Sequence, residues 1–311
     1  MSPLVTIGIP CYNAARWIKA AVDSALAQTW PAKEIIVVDD GSTDGSRDIL
    51  KNYGDAIRVI FADHRGSNPA RNEILRASKG EWIQYLDADD FLLPEKITKQ
   101  FSETDGGADC DVIYSPVWID QNNERRASAL DASLDVYCQW LAWELPQTGG
   151  CLWRKSTLEK LHGWNEQIPC CQEHELYLRA LKAGMRFRLA PSPNAVYRIW
   201  SDETLCRRDP RLVTKVKTQL IDDMRSWMEL HDLWTPASLA VAGQACFELS
   251  RSIARDNLME ADTYHQQRRE VGLIAARGPA APASYRFVYK IAGFKSAERV
   301  ARAIRGFRKR K

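Results

Sequence analysis

The apolar and polar positions of the first hundred residues switch between two periods. VTIGIP (5–10) is an apolar run too short for a helix, and it predicts a strand. From Ala14 to Gln28, Trp17, Ile18, Val22, Ala25 and Leu26 recur at helical spacing. EIIVVDD (34–40) is apolar until its last two residues, as in a strand covered on both faces. GSTDGS interrupts it, with Asp44 or Ser42 placed to cap a helix from about Ser46 to Tyr53. IRVIFAD (57–63) predicts a third strand, and PARNEILRASKG (69–80) a helix opened by proline and closed by glycine. EWIQYLDADD (81–90) predicts a fourth strand. This alternation implies an α/β fold, a mainly parallel sheet with helices on both faces.

The pattern loosens after about 106. CDVIYSPVW (110–118) predicts a strand, 133–143 a helix, and QTGGCLWRKSTLEKL (147–161) a loop, a short strand and a helix. QEHELYLRALKAG (172–184) is helical, with Leu176, Leu178 and Leu181 inward and Gly184 as its stop. Residues 186–200 read as extended, with Pro191 and Pro193 between strands, and the pattern after 206 is helical. A Gly/Pro/Ala break at 278–284 separates a terminal segment.

Three polar clusters fall at the carboxyl ends of the predicted strands: Pro10–Asn13, Asp39–Thr43 and Asp87–Asp90. Open parallel sheets bind ligands along that edge. Asp87, Asp89 and Asp90 repel one another, by roughly 3 kcal/mol per pair at about 5 Å and an effective dielectric near 20. A divalent cation removes that repulsion and bridges carboxylate to phosphate. The first strand runs into IPCYNAA and not into GxGxxG, and neither GxxxxGK[ST] nor GxSxG occurs. Dinucleotide oxidoreductase, P-loop and α/β-hydrolase chemistries are thereby disfavoured.

Composition adds three points. The 45% apolar and 27% charged content is that of a globular chain, and no run of about 18 apolar residues exists. The start, MSPLVTIGIPCYN, lacks the basic region of a secretory signal, so a cytoplasmic location is expected. The eight cysteines include no CxxC pair, and reduced thiols are expected. Cys170, Cys171 and His174 lack the second ligand pair of a structural zinc site. Charge is uneven. Residues 284–311 hold ten Lys or Arg against Glu298, a balance of +9 in a chain of net charge +3. On a helix, Ala297, Val300, Ala301, Ile304 and Phe307 share one face and Arg299, Arg302 and Arg305 the other. Upstream, Phe287, Val288, Ile291 and Phe294 repeat at helical spacing. The pattern predicts an in-plane helix on an anionic membrane surface. A packed terminal helix or an RNA contact are the alternatives, and nucleic acid has only this tail's charge in its favour.

IPCYNAARWIKAAVDSALAQTW, EIIVVDDGSTDGS, ARNEILRASKGEWIQYLDADD and CCQEHELYLRA together resemble a family 2 glycosyltransferase of the GT-A fold, over about residues 4–200. The resemblance implies an inverting transfer of sugar from a nucleotide diphosphate sugar donor to an acceptor hydroxyl, of a glycan or lipid-linked glycan, with Mn²⁺ or Mg²⁺. YLDADD corresponds to the family's DxD motif. Position by position, the resemblance puts Pro10, Tyr12, Asp39 and Asp40 at the nucleobase and Arg71 on the nucleotide side. It puts Asp87 near the ribose and Asp89 on the metal, while Asp90 reads equally well as a helix cap before Pro94. Where relatives carry Glu-Asp before Leu-x-Leu-Arg, this chain has Gln172-Glu173, which makes Glu173 the general base. Glu175 or His174 is the alternative, although Glu175 alone reads as a solvated helix charge. His174 suits an acceptor contact or the core, and so does Trp164 in HGWNE.

The expected organisation is a GT-A domain over 1–205, with a donor half at 1–105 and an acceptor half at 106–205. A helical extension over 206–283 and a basic tail over 284–311 follow. The chain is expected to act in cell-surface polysaccharide or glycolipid assembly, peripherally on the inner face of a membrane. A sugar nucleotidyltransferase, or a non-catalytic nucleotide-sugar-binding or scaffold protein, is the competing expectation.

Overall fold

The computed structural model describes residues 2–122, 124–200 and 209–308. Cys206, the Phe307 side chain and residues 309–311 lie outside the described residues. Two compact units emerge: Met1–Ser133 with Glu144–Glu203, and Leu134–Trp143 with Thr204–Lys311.

The first unit is built on a seven-stranded sheet. Its strands are β1 (Val5–Cys11), β2 (Lys33–Asp40), β3 (Arg58–Ala62), β4 (Trp82–Tyr85), β6 (Val112–Tyr114), β9 (Cys151–Arg154) and β10 (Phe187–Leu189). The spatial order is β10-β6-β9-β4-β1-β2-β3, and only β9 runs against its neighbours. The chain moves outward from β1 through β2 to β3, then returns to pair β4 on the other side of β1. That reversal opens a crevice at the carboxyl ends of β1 and β4, where such folds hold ligands.

Helices α1 (Ile18–Leu26), α2 (Ser46–Lys51), α3 (Ser67–Ala77), α4 (Lys96–Ser102), α6 (Lys155–Lys160) and α7 (Gln172–Lys182) complete this unit. Ile7, Ile9, Ile18, Val22, Val37, Trp82, Leu86 and Phe101 belong to the core they enclose. Gly8 lets α3 lie close on the sheet, because a Cβ there would sit 2.3 Å from Ile74 Cγ2.

Two differences from the sequence pattern matter for the site. The strand expected over 81–90 stops at Tyr85, and Asp87–Asp90 forms a turn closed by the Asp90 N–H donating to Asp87 O (3.0 Å). The strand expected over 110–118 is two strands in different sheets. A second, four-stranded sheet runs β5 (Phe91–Leu92), β11 (Ala195–Ile199), β7 (Trp118–Gln121), β8 (Glu124–Ala127). Through β5 and β11 it brings residues near 200 back to the acidic turn.

The second unit contains α5 (Val136–Leu141), α8 (Pro210–Leu230), α9 (Pro236–Asp256), α10 (Leu258–Glu270) and α11 (Ala283–Arg308). Asp209, Thr235 and Asn257 cap α8, α9 and α10 with their side chains, and proline opens α8 and α9. The basic tail is helical but broken at Gly293 (φ 75°). Its faces divide differently from the expected amphipathic pattern. Tyr285, Phe294 and Ala297 are buried with Phe247, Ala254 and Ala261. Glu298 is fully buried against Arg251, and Arg302 donates to Ala254 O instead of joining a free basic face. Phe287 (68% exposed), Ile291 (71%), Val300 and Ile304 point outward. The buried Glu298–Arg251 pair fixes this rotation, since charge can enter the core only where a partner meets it. Among the described residues no helix is long and apolar enough to cross a membrane. All seven described cysteines are buried thiols outside any disulfide.

Candidate active site

The crevice edge is formed where β1, β2 and β4 end. Tyr12, just past β1, is exposed and stacks on His64 with ring centroids 3.9 Å apart. Pro10 is half-buried beside it. Asp39 and Asp40 end β2, and both carboxylates are buried. Asp39 Oδ2 accepts from Arg47 Nε (2.6 Å) and Ser42 N, and its Oδ1 has no partner among the described residues. Asp40 accepts from the backbone N–H groups of Arg65 and Gly66 at 2.8 Å, and His64 Nδ1 lies 2.8 Å from its Oδ2. Asp40 thus shapes the 64–66 loop, which holds the ring under Tyr12.

The acidic turn follows β4. Asp87 accepts from Arg71 Nη2 at 2.7 Å. Asp89 Oδ2 accepts from the Trp200 indole N–H at 2.7 Å. Burial and the neighbouring Asp87 charge push the Asp89 carboxyl above the usual range. Asp90 is raised further, by full burial and by Asp89 and Asp87. Its Oδ1 accepts from Arg198 N (2.8 Å), so Asp90 anchors β11 and does not cap a helix. Asp87 and Asp89 bring two carboxylates to one turn, and the Arg71 contact balances only part of that charge. This fits a divalent cation, which takes one or two carboxylates and completes its shell with phosphate and water. Among the described residues no group of three or more His, Cys, Asp or Glu side chains forms a metal cage.

Arg71, on α3, joins this turn to α7. Its guanidinium is buried, donates to Asp87, and through Nη1 reaches Asn68 Oδ1 (3.1 Å) and Gln172 Oε1 (3.0 Å). Burial opposes its charge, but Asp87 and Glu173 outweigh that effect and hold it above the ordinary arginine value. Trp164 is only 3% exposed, so it does not line an open acceptor pocket. It packs under Arg71, whose guanidinium carbon lies 4.6 Å from its ring, and edge-on to Tyr85.

On α7 the three candidates separate. Glu173 is half-buried and accepts from Thr148 Oγ1 at 2.6 Å. His174 is buried and edge-on to Tyr177, 6.0 Å between ring centroids. Glu175 is not the solvated charge its spacing suggested. It is 9% exposed, accepts from Arg179 Nε (2.8 Å) and Nη2 (2.9 Å), and receives Asn165 Nδ2 (3.2 Å). Arg179 in turn donates to Leu161 O and Gly163 O, so that pair ties the preceding loop to the helix.

Sequence reasoning missed Arg47, His64, Thr148, Arg198 and Trp200. Arg47 could have been suspected from its place just after the GSTDG loop. The others carried no local signal, because they arrive from distant elements.

The site thus combines a mainly parallel sheet, an acidic turn at its switch point, and a buried arginine that bonds Asp87 of that turn and Gln172 beside Glu173. The family model "Glycosyl transferase family 2" matches residues 6–179, more than half of the sequence, and the chain belongs to that family. A Bacillus subtilis protein named for teichuronic acid biosynthesis, TuaG, is 41% identical over 102 residues, covering 32% of this chain and 40% of that one. The first 349 residues of Staphylococcus aureus TarS, solved with UDP-GlcNAc, superpose with a TM-score of 0.67 at 16% identity, over 96% of this chain and 92% of that one. The Pyrobaculum calidifontis mannosyltransferase PcManGT, solved with GDP-Man and Mn²⁺, gives 0.55 at 17% identity, over 96% and 87%. At these identities the structures establish the fold, which is GT-A. The match spans about a third of the length of the first curated relatives, glycosyltransferases of Rickettsia species.

Proposed function

We propose that the chain transfers a sugar from a nucleotide diphosphate sugar to an acceptor hydroxyl, with inversion, in cell-surface polysaccharide or glycolipid assembly. The supporting observation is Arg71, which touches Asp87 with one nitrogen and Gln172, beside Glu173, with another. Donor and acceptor chemistry meet across that one side chain. Tyr12, Pro10, Asp39 and Asp40 line the base, and Asp87 takes the ribose. Glu173 removes the proton from the acceptor hydroxyl as that oxygen attacks the anomeric carbon. Asp89 holds a divalent cation, Mn²⁺ or Mg²⁺, which when bound neutralises charge on the departing diphosphate. The relatives point the same way: TuaG carries a polysaccharide name, and TarS and PcManGT were solved with nucleotide sugars, the latter with Mn²⁺.

The tail adds a location. Phe287 and Ile291 stand outward one turn apart with Arg286 and Lys290 beside them, and Val300 and Ile304 repeat the pattern next to Arg299. This surface suits peripheral docking on an anionic bilayer at the cytoplasmic face, near a lipid-linked acceptor.

The test is a thermal-shift panel of UDP- and GDP-sugars with Mn²⁺ or EDTA, followed by product analysis. A donor at 100 times its Kd adds about 2.7 kcal/mol of stability. Release of nucleoside diphosphate with inverted product supports the proposal. Pyrophosphate release would indicate a nucleotidyltransferase, and donor binding without turnover a scaffold.

A further inference from the structure

Glu173 sits in the first turn of α7, one turn before Tyr177, and both side chains meet the 146–151 loop. Tyr177 O–H donates to Pro146 O at 2.8 Å, and Thr148 Oγ1–H donates to Glu173 Oε1 at 2.6 Å. Thr148 is buried, and among the described residues it is the one hydrogen-bond donor to the Glu173 carboxylate.

The loop behind that hydroxyl is fixed from several directions. Gln84 Nε2, on β4, donates to Gly149 O (3.1 Å). Gln100 Nε2, on α4, and Ser115 N both donate to Gly150 O, at 2.9 and 3.0 Å. A Cβ at Gly150 would lie 2.4 Å from Pro146 Cβ and 2.8 Å from Ser115 O, so the turn packs only with glycine there. Buried amides rarely spend hydrogen bonds on a loop that is free to move. Here they hold the backbone that carries the buried Thr148 hydroxyl, and that hydroxyl donates to a carboxylate.

We infer that Thr148 is a positioning residue for Glu173: its hydroxyl holds one carboxylate oxygen so that the other faces the acceptor hydroxyl. The inference rests on Glu173 being the general base. A base must lie within hydrogen-bond reach of the proton it takes, and a displacement of about 1 Å can cost about 100-fold in rate. A threonine achieves this without adding a second charge to the site.

The experiment compares Thr148→Val, which keeps shape but loses the donor, with Thr148→Ser, which keeps the donor, and with Glu173→Gln. The full chain is assayed for Mn²⁺-dependent hydrolysis of whichever of UDP-glucose, UDP-GlcNAc, UDP-GalNAc and GDP-mannose the wild type consumes fastest. Crystals of Thr148→Val report the Glu173 rotamer directly. We expect Thr148→Val to lose about 10- to 100-fold in kcat with donor KM within about twofold. Thr148→Ser should recover to within about threefold, and the Val crystal should show Glu173 turned away. In the Glu173→Gln background, Thr148→Val should cost nothing further. If Glu173→Gln is inactive while Thr148→Val has normal kcat, or Glu173 keeps its place in the Val crystal, the positioning role is wrong and the base stands. If Glu173→Gln turns over normally, the base reading falls and takes this inference with it.

Discussion

Arg71 Nη2 donates to Asp87 Oδ1 at 2.7 Å, from a guanidinium that is itself buried. The bond links a helix that follows β3 to the turn that follows β4, and the other end of the same guanidinium reaches the first residue of α7. Arg71→Met should therefore act twice. Breaking a buried, hydrogen-bonded ion pair costs on the order of 3 kcal/mol, readable by chemical denaturation. Nucleotide affinity should fall as well, because Asp87 loses the partner that orients it. Unchanged stability and unchanged UDP or GDP binding would show that Arg71 is only a filler.

Asp89→Ala removes one carboxylate from a turn whose members already repel one another. The apo protein should be as stable as the wild type or slightly more so, while the extra thermal stabilisation by Mn²⁺ with nucleotide disappears. Near-normal turnover at saturating Mn²⁺ would remove Asp89 from the metal site.

Three single variants on α7 separate catalysis from structure. Glu173→Gln should keep donor binding and lose about 10²–10⁴ in transfer. Glu175→Gln should lower stability instead, by roughly 1–3 kcal/mol, because it weakens the Arg179 fork that holds Leu161 and Gly163. His174→Ala should cost packing energy with a smaller change in kcat. An inactive Glu175→Gln beside an active Glu173→Gln would move the base by two residues.

His265 stacks on Phe294 at 4.4 Å between ring centroids, and its Nε2 lies 3.0 Å from Tyr289 Oη. Burial pushes its pKa down to about 4, with Asp262 acting the other way and Arg269 adding to the depression. The folded state thus favours the neutral ring. Its stabilisation is complete above the ordinary histidine value near 6.5 and is lost as pH falls towards 4, by up to roughly 3 kcal/mol. His265→Phe should flatten that loss in denaturation curves at pH 7.5 and 4.5. Equal losses in both proteins would assign the acid sensitivity elsewhere.

Phe287→Ser with Ile291→Ser should weaken flotation with vesicles containing anionic lipid, with little effect on folding, since both side chains face outward. Neutral vesicles should bind the wild type poorly. Binding that survives both substitutions and the change of lipid would leave the tail as a packing helix alone.

The sequence by itself determined the strand–helix alternation, the parallel sheet and the place of its polar clusters. Those features depend on local periodicity and on residue types that end strands, which are readable at short range. It also carried the acidic turn and the α7 glutamates. It favoured Glu173 over Glu175 through one alignment frame, and Arg179 stands one turn after Glu175 on the same helix. Yet it gave no sign that Thr148 reaches Glu173 or that Asn165 reaches Glu175, because those two partners come from other elements. Trp164 and His174 suited a pocket or the core equally on sequence, and it is tertiary packing that buries both. Asp87–Asp90 looked like the end of a strand because an apolar approach resembles its continuation. Only the pairing of β5 with β11, whose residues are about a hundred positions apart, turned it into an anchored loop. The tail shows the limit most clearly. Helical spacing grouped Ala297 with Val300, but burial of Glu298 against Arg251 fixed the rotation and sent one inward and the other out.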